Sequence, residues 1–251
     1  MNKRWVMGNW KLNKTCAQAR AFTEGLRAQL HSLADGVTCI IAPPFTALQT
    51  VAHAAGPHLG VAAQNIYPQD AGAFTGEISA PLAAEAGATY TLVGHSERRA
   101  LFNETDDQCA HKLAAAARAG LCPILCVGES AQDRAQGRTA QVVQQQLHGA
   151  CGRYLQERQG PLMVAYEPIW AIGTGHTPAP QDAQAVHAVL HEALGALMPQ
   201  GVDAVPLLYG GSVTADNAAT FVSQRHIHGV LVGGASLTLQ SFVRIAQVLG
   251  A

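Results

Sequence analysis

Eight short apolar runs recur along the chain at intervals of roughly 30 residues, with segments of helical period between them. The runs cover residues 5–8, 38–42, 61–63, 90–93, 122–127, 162–165, 206–209 and 229–232. Each has the length and apolar content of a strand buried on both faces. The helical segments are 17–30, 47–55, 81–86, 107–119, 138–156, 182–197, 217–222 and 239–249. Phe22, Leu26 and Leu30 mark the period in the first, and Val186, Leu190 and Leu194 in the sixth. Thr15, Asp182 and Ser236 are start signals for three helices, and Gly87, Gly120 and Gly195 fall near helix ends. Strict alternation predicts a parallel sheet with right-handed crossovers. Eight units in 251 residues is the count of a closed eight-stranded parallel (β/α)8 barrel of the α/β class. A doubly wound open sheet is the competing architecture. It would usually carry a dinucleotide fingerprint after the first strand, and Gly8-Asn9-Trp10-Lys11 is not one.

Composition narrows the partners. Apolar residues make up 48% of the chain, enough for a substantial core, and no linker interrupts it, so residues 1–251 read as one barrel domain. Charged residues are 13% with a formal net charge of −1, which gives no support for a nucleic-acid or acidic-membrane partner through a basic surface and leaves room only for a local positive site. No stretch approaches the roughly 18 apolar residues of a membrane span, and the start of the chain does not read as a signal peptide. The six cysteines (Cys16, Cys39, Cys109, Cys122, Cys126 and Cys151) are scattered without CxxC spacing. They read as free thiols of a reduced, cytoplasmic protein.

One connection breaks the rhythm. Residues 65–79 have neither helical nor strand period, and Phe74 stands between Gly72 and Gly76. So long an irregular loop in a compact domain usually has a task, and a subunit contact anchored by Phe74 is the favoured one.

Placing the polar residues on the strand ends concentrates them. Asn9 and Lys11 follow the first strand, Gln64 and Asn65 the third, His95 and Glu97 the fourth, and Glu167 the sixth. Gly210-Gly211-Ser212 follows the seventh and Gly233-Gly234 the eighth. In a barrel the C-terminal strand ends converge on one face, where sites are assembled. Glu167 is a candidate general base under a loop, 168–178, that could close over it. The glycine pairs, each between a strand and a helix, suit an anion held by backbone N–H groups. Lys11 could supply a fixed positive charge. His95 precedes a helix start, where the dipole disfavours protonation and a neutral imidazole could donate to a carbonyl oxygen. Each residue alone also has a plain reading, as solvated lysine, capping histidine or ordinary turn. His187 and His191, four apart on a helix beside Glu192, could share a metal, but without a third ligand they read as solvated, and no metal is expected.

These motifs together resemble the triosephosphate isomerase family along the whole chain. The matching stretches are Gly8-Asn9-Trp10-Lys11, Gln64-Asn65, residues 72–77, residues 93–99, Cys126-Val127-Gly128-Glu129, residues 165–175, residues 209–213 and residues 231–237. The resemblance implies a TIM barrel that interconverts dihydroxyacetone phosphate and D-glyceraldehyde 3-phosphate, in glycolysis and gluconeogenesis, without cofactor or metal and as a homodimer. It implies Glu167 as base, His95 as electrophile, and Asn9 and Lys11 as substrate-binding residues. Gly173, Ser212, Gly233 and Gly234 would hold the phosphate, Thr75 would enter the partner subunit, and Ile172 and Leu231 would press on the carboxylate. His176 and Pro178 depart from the family's usual Lys and Ala at the end of the lid, so its motion is expected to differ. His228 departs from the usual Asp without evident consequence. The rivals are a sugar-phosphate epimerase or aldolase, which would need metal ligands or a lysine within a strand, and a catalytically inactive barrel kept for binding.

Overall fold

The structure is a computed structural model describing residues 3–30, 33, 36–156, 160–174 and 176–250. The eight strands are β1 Arg4–Asn9, β2 Val37–Ala42, β3 Leu59–Ala63, β4 Tyr90–Val93, β5 Cys122–Val127, β6 Met163–Tyr166, β7 Leu207–Tyr209 and β8 Gly229–Val232. All pair in parallel in sequence order, and β8 returns to β1 with Gly8 opposite Val232, closing the ring. The helices in chain order are α1 Cys16–Leu30, α2 Leu48–Ala55, α3 Ala80–Glu85, α4 Ser96–Phe102, α5 Asp106–Arg118 and α6 Ala131–Ala135. They continue with α7 Thr139–Gln156, α8 Pro180–Leu197, α9 Ala215–Val222 and α10 Leu239–Gly250.

The period of two along each strand divides the apolar residues between two cores. Met7, Ile40, Ala62, Leu92, Ile124, Met163, Ala165, Leu208 and Leu231 fill the interior of the ring. Their neighbours, such as Val6, Ile41, Val164 and Tyr166, face outward and pack under the helices. The barrel is therefore solid, and chemistry is left to its ends.

Local signals set the helix boundaries. Thr15 and Gln18 bond each other's backbone N–H at the start of α1, a reciprocal cap that leaves fewer orphan donors. Gly87 and Gly120 turn in the left-handed region just after α3 and α5. Two expectations are corrected. Asp182 lies in the first turn of α8, whose cap is Ala179 with Pro180 next; a proline needs no N–H partner there. The Thr238 hydroxyl, rather than Ser236, accepts from Ser241 N–H at the start of α10. Gly195 falls near the end of α8 as expected but two residues inside it, without a left-handed backbone. The short helix α6, held by a Ser130–Asp133 cap, had no apolar period to announce it.

The loop between β3 and α3 is held by its own contacts. Tyr67 N–H donates to Ile78 O at 2.8 Å, and the Phe74 ring lies 4.5 Å from that of Tyr67. Phe74 nevertheless remains 40% exposed.

Candidate active site

At the C-terminal end of the barrel lies a cavity of about 390 Å3. Asn9, Lys11, His95, Glu167, Gly173, Ser212, Gly233 and Gly234 all line it, as do Ile172 and Leu231. Residues from β1, β4, β6, β7 and β8 thus meet at one place, as closure of the ring requires. Thr75 is exposed on its loop and is not part of this lining, and Gly175 lies outside the described residues.

Glu167 is buried, and its position is fixed from both sides. Its N–H donates to Val127 O at 2.8 Å, and Gly210 N–H donates to Tyr166 O at 2.7 Å. A Cβ on Gly128 would come within 1.8 Å of the Glu167 carbonyl oxygen, so only glycine permits this approach of β5 to β6. The carboxylate reaches the start of α4. Ser96 N–H donates to Oε2 at 2.8 Å, and His95 Nε2 lies 3.0 Å from Oε1. Burial works against the charge, but His95, the Ser96 N–H and Lys11 outweigh it and hold the acid below the ordinary carboxylate range.

His95 caps α4 with its ring: Glu97 N–H donates to Nδ1 at 3.2 Å. That bond places the proton of a neutral imidazole on Nε2, the nitrogen facing Glu167. Burial opposes a positive ring, while the Glu167 carboxylate favours it enough to lift the balance above the ordinary histidine value. The capping bond pulls the other way, since an imidazolium has no lone pair at Nδ1 to accept it. A neutral donor at Nε2 is the form that satisfies both ring nitrogens.

Lys11 sits on a left-handed backbone with φ 51, unusual for a residue with a side chain. Its N–H donates to Asn9 Oδ1 at 3.0 Å, and Gln64 Nε2 donates to its carbonyl at 2.9 Å. Gln64 and Asn9 thereby hold a strained residue in place. The ammonium meets Glu97 Oε1 at 2.5 Å. Asn65 takes no part in the cavity; it accepts from Lys112, which also binds the buried Glu104 under β4. Glu104 in turn accepts from Gly94 N–H, one residue before His95.

On the opposite wall, β7 and β8 are each followed at once by a glycine pair that opens a short turn. Among the described residues, the N–H groups of Ser212, Gly233 and Gly234 take no backbone acceptor. They form a concave, positive surface suited to an anion. The Ser212 hydroxyl donates to Ala171 O at 2.7 Å, tying this wall to the loop that carries Gly173.

One carboxylate was named only within a matching stretch and given no role by the sequence reading. Glu129, just beyond β5, is buried, and its Oε1 accepts from Tyr166 OH at 3.1 Å and Trp170 Nε1 at 2.8 Å. A carboxylate at a strand end was the available signal, the same one that marked Glu167. His187 also departs from expectation. It is fully buried between α8 and the barrel, its Nδ1 2.8 Å from Ala183 O and its ring edge-on to Tyr166. The helical period carries it inward with Leu190, so it is not solvated. Among the described residues no three His, Cys, Asp or Glu side chains converge to hold a metal ion.

A family model described as Triosephosphate isomerase matches residues 4–249. A triosephosphate isomerase of Alcanivorax borkumensis is 47% identical over 96% of each chain. One from a Synechococcus species is 48% identical, covering 96% of this chain and 93% of its own. The crystal structure of triosephosphate isomerase from Bartonella henselae superposes with a TM-score of 0.88 at 32% identity, over 98% of this chain and 99% of that one.

Proposed function

The chain belongs to the triosephosphate isomerase family, whose reaction is the interconversion of dihydroxyacetone phosphate and D-glyceraldehyde 3-phosphate in glycolysis, and we propose that Glu167, His95 and Lys11 carry that reaction here. Moving a carbonyl by one carbon needs a proton taken from the carbon beside it and returned to the neighbouring carbon. Glu167 takes and returns the proton. The Nε2–H of His95 and the Lys11 ammonium stabilise the enediolate oxygens between the two transfers. This division of labour is the one for which the family is itself the standard illustration.

The phosphate rests on the N–H groups of Gly173, Ser212, Gly233 and Gly234, with Asn9 and Lys11 fixing the other end. To reach substrate, Glu167 gives up its bonds to Ser96 and His95, which favour the anion and weaken the base. Closing residues 168–178 brings Ile172 and Leu231 against the freed carboxylate and excludes water. Desolvation then raises its basicity.

The observation that carries this reading is the meeting of base, imidazole donor, cation and free N–H groups in one cavity. The test is isomerisation of glyceraldehyde 3-phosphate in a coupled assay, beside Glu167→Gln. The parent is expected to turn over, and the variant to lose on the order of 10²–10⁴ in kcat. An inactive parent, or equal rates, would overturn it.

Several further assignments rest on the same ground. The whole chain, 1–251, is taken as one domain because the strands form a single ring and α10 packs back on α1 and β1. A homodimer fits the exposed apolar residues Leu12, Phe45, Phe74, Leu82, Leu101 and Phe102. All follow the C-terminal ends of β1 to β4, four adjacent strands, so they share one sector of the rim. A second copy of this chain, entered by the loop bearing Thr75 and Phe74, would cover it. Phe74→Asp is expected to shift the protein to monomer in gel filtration; an unmoved dimer peak would exclude that contact. Six unbonded cysteines support a cytoplasmic location. No described helix is long and apolar enough to cross a membrane.

A further inference from the structure

A second polar cavity opens at the other end of the barrel. It measures about 500 Å3, and Lys3, His191, Asp203, Arg225, His226 and His228 contribute to its walls. Lys3 lies just before β1, His228 just before β8, and Asp203 in the turn before β7. His191 projects from α8, and Arg225 and His226 from the connection between α9 and β8. None of them belongs to the site described above.

The charge there is one-sided. Lys3 and Arg225 are cations, and Arg4, at the start of β1, is close enough to act on His228. The one carboxylate in the lining is Asp203, which bonds His191 Nε2 at 3.1 Å but is 94% exposed and so largely screened. Leu207 N–H donates to His228 Nδ1 at 2.9 Å, so a neutral His228 carries its proton on Nε2, as a donor. The His226 ring lies over that of His191 with centroids 4.4 Å apart, and two rings so placed resist being charged together. Burial first, then the surrounding cations and histidines, keep His226 and His228 below the ordinary histidine value, against a weaker pull from Asp203. The cavity presents donors and uncompensated positive charge. The side chains do not converge as a metal-ligating set would.

We infer that this cavity is a binding site for a small multivalent anion of the phosphate class, held by Lys3, Arg225 and the Nε2–H of His228. Such an anion offsets the burial and the like charge that hold His226 and His228 below the ordinary histidine value, so its entry draws in protons. By linkage, affinity rises as the pH falls through the histidine range.

The probe is tripolyphosphate, titrated calorimetrically at low salt at pH 8 and pH 6. The catalytic cavity has its own affinity for phosphate, so Lys11→Met is titrated beside the parent and an Arg225→Ser/His226→Ser variant. Arg225 is exposed, and circular dichroism and isomerase activity report that the double variant is folded. Parent and Lys11→Met are expected to share a binding event at least roughly threefold tighter at pH 6 than at pH 8. The double variant should weaken it roughly tenfold or more, as removal of charge-assisted bonds does, while keeping its isomerase activity. Binding that vanishes in Lys11→Met, that the double variant leaves unchanged, or that ignores pH would overturn the inference.

Discussion

His187 gives the molecule a built-in sensitivity to acid. Its ring is fully buried against Tyr166, and burial lowers its pKa from the ordinary 6.5 to about 4. The folded protein therefore keeps this ring neutral where the unfolded chain would protonate it. The stability that follows is fully present above pH 6.5 and is lost as the pH falls from there through 4; below 4 both states carry the proton. A displacement of that size corresponds to about 3 kcal/mol in total, and about 2 kcal/mol of it disappears between pH 7.5 and pH 5. His187→Leu removes the titrating group but keeps an apolar side chain of similar bulk on the same helix face. Ala183 O retains its helical partner, and a buried Nε2 without a partner among the described residues is eliminated. At pH 7.5 the variant should match the parent to within about 1 kcal/mol, the lost edge-on contact with Tyr166 being of that order. Urea unfolding at one protein concentration, run at both pH values, gives the comparison. His226 and His228 titrate alike in both proteins and cancel. The variant should lose about 2 kcal/mol less than the parent on acidification. Equal losses would mean that the ring is not held neutral in the fold, and the account of its burial would fail.

Two further changes test how the base is positioned and surrounded. Gly128→Ala forces a methyl group against the Glu167 carbonyl at 1.8 Å, too close to be absorbed by a side chain. It should cost roughly 3 kcal/mol or more in urea unfolding, beyond the usual range for overpacking, and reduce kcat as β6 shifts; a stable, fully active variant would refute the close approach. Leu231→Ala removes an apolar wall of the catalytic cavity and admits water to the closed site. Steady-state kinetics should show kcat falling by more than KM changes, and an unchanged kcat would remove the apolar clamp from the mechanism.

The barrel was legible because every strand is apolar on both faces, and that pattern survives any uncertainty in helix ends. Lys11, His95 and Glu167 stood out because each is a polar residue where an apolar run stops. The boundaries were less legible. Asp182 looked like a cap, yet Pro180 starts the helix earlier, since an N–H-free residue costs nothing at the first position. His187 was misread because its neighbours in sequence are mixed, while its neighbours in space are set by Ala183 and Leu190, one turn away on either side. Glu129 was passed over because its partners, Tyr166 and Trp170, come from a different strand end and from the lid. A contact between residues some forty positions apart leaves no local pattern to read.

That contact also explains how the lid is anchored. At its first end, Glu129 holds Trp170 and Tyr166 through one oxygen, and its backbone carbonyl accepts from Ile169 N–H at 3.2 Å. The Arg134 guanidinium lies 4.0 Å from the centre of the Trp170 ring, adding a further hold from outside. At the other end, buried Pro178 fixes one backbone angle and offers no N–H, Ala179 is extended, and Pro180 opens α8. The family's usual residue at position 178 would leave that angle free. Both ends being restrained, the freedom that closure would need falls to the described residues between them, of which Gly173 is exposed and already has a positive φ of 70. The N–H proposed to grip phosphate is thus carried by an exposed glycine, while the strand bearing Glu167 is fixed by β5 on one side and β7 on the other. In the proposed mechanism a fixed strand beneath a short moving grip lets substrate binding drive closure, and only the Glu167 side chain has to leave Ser96 and His95 for the substrate.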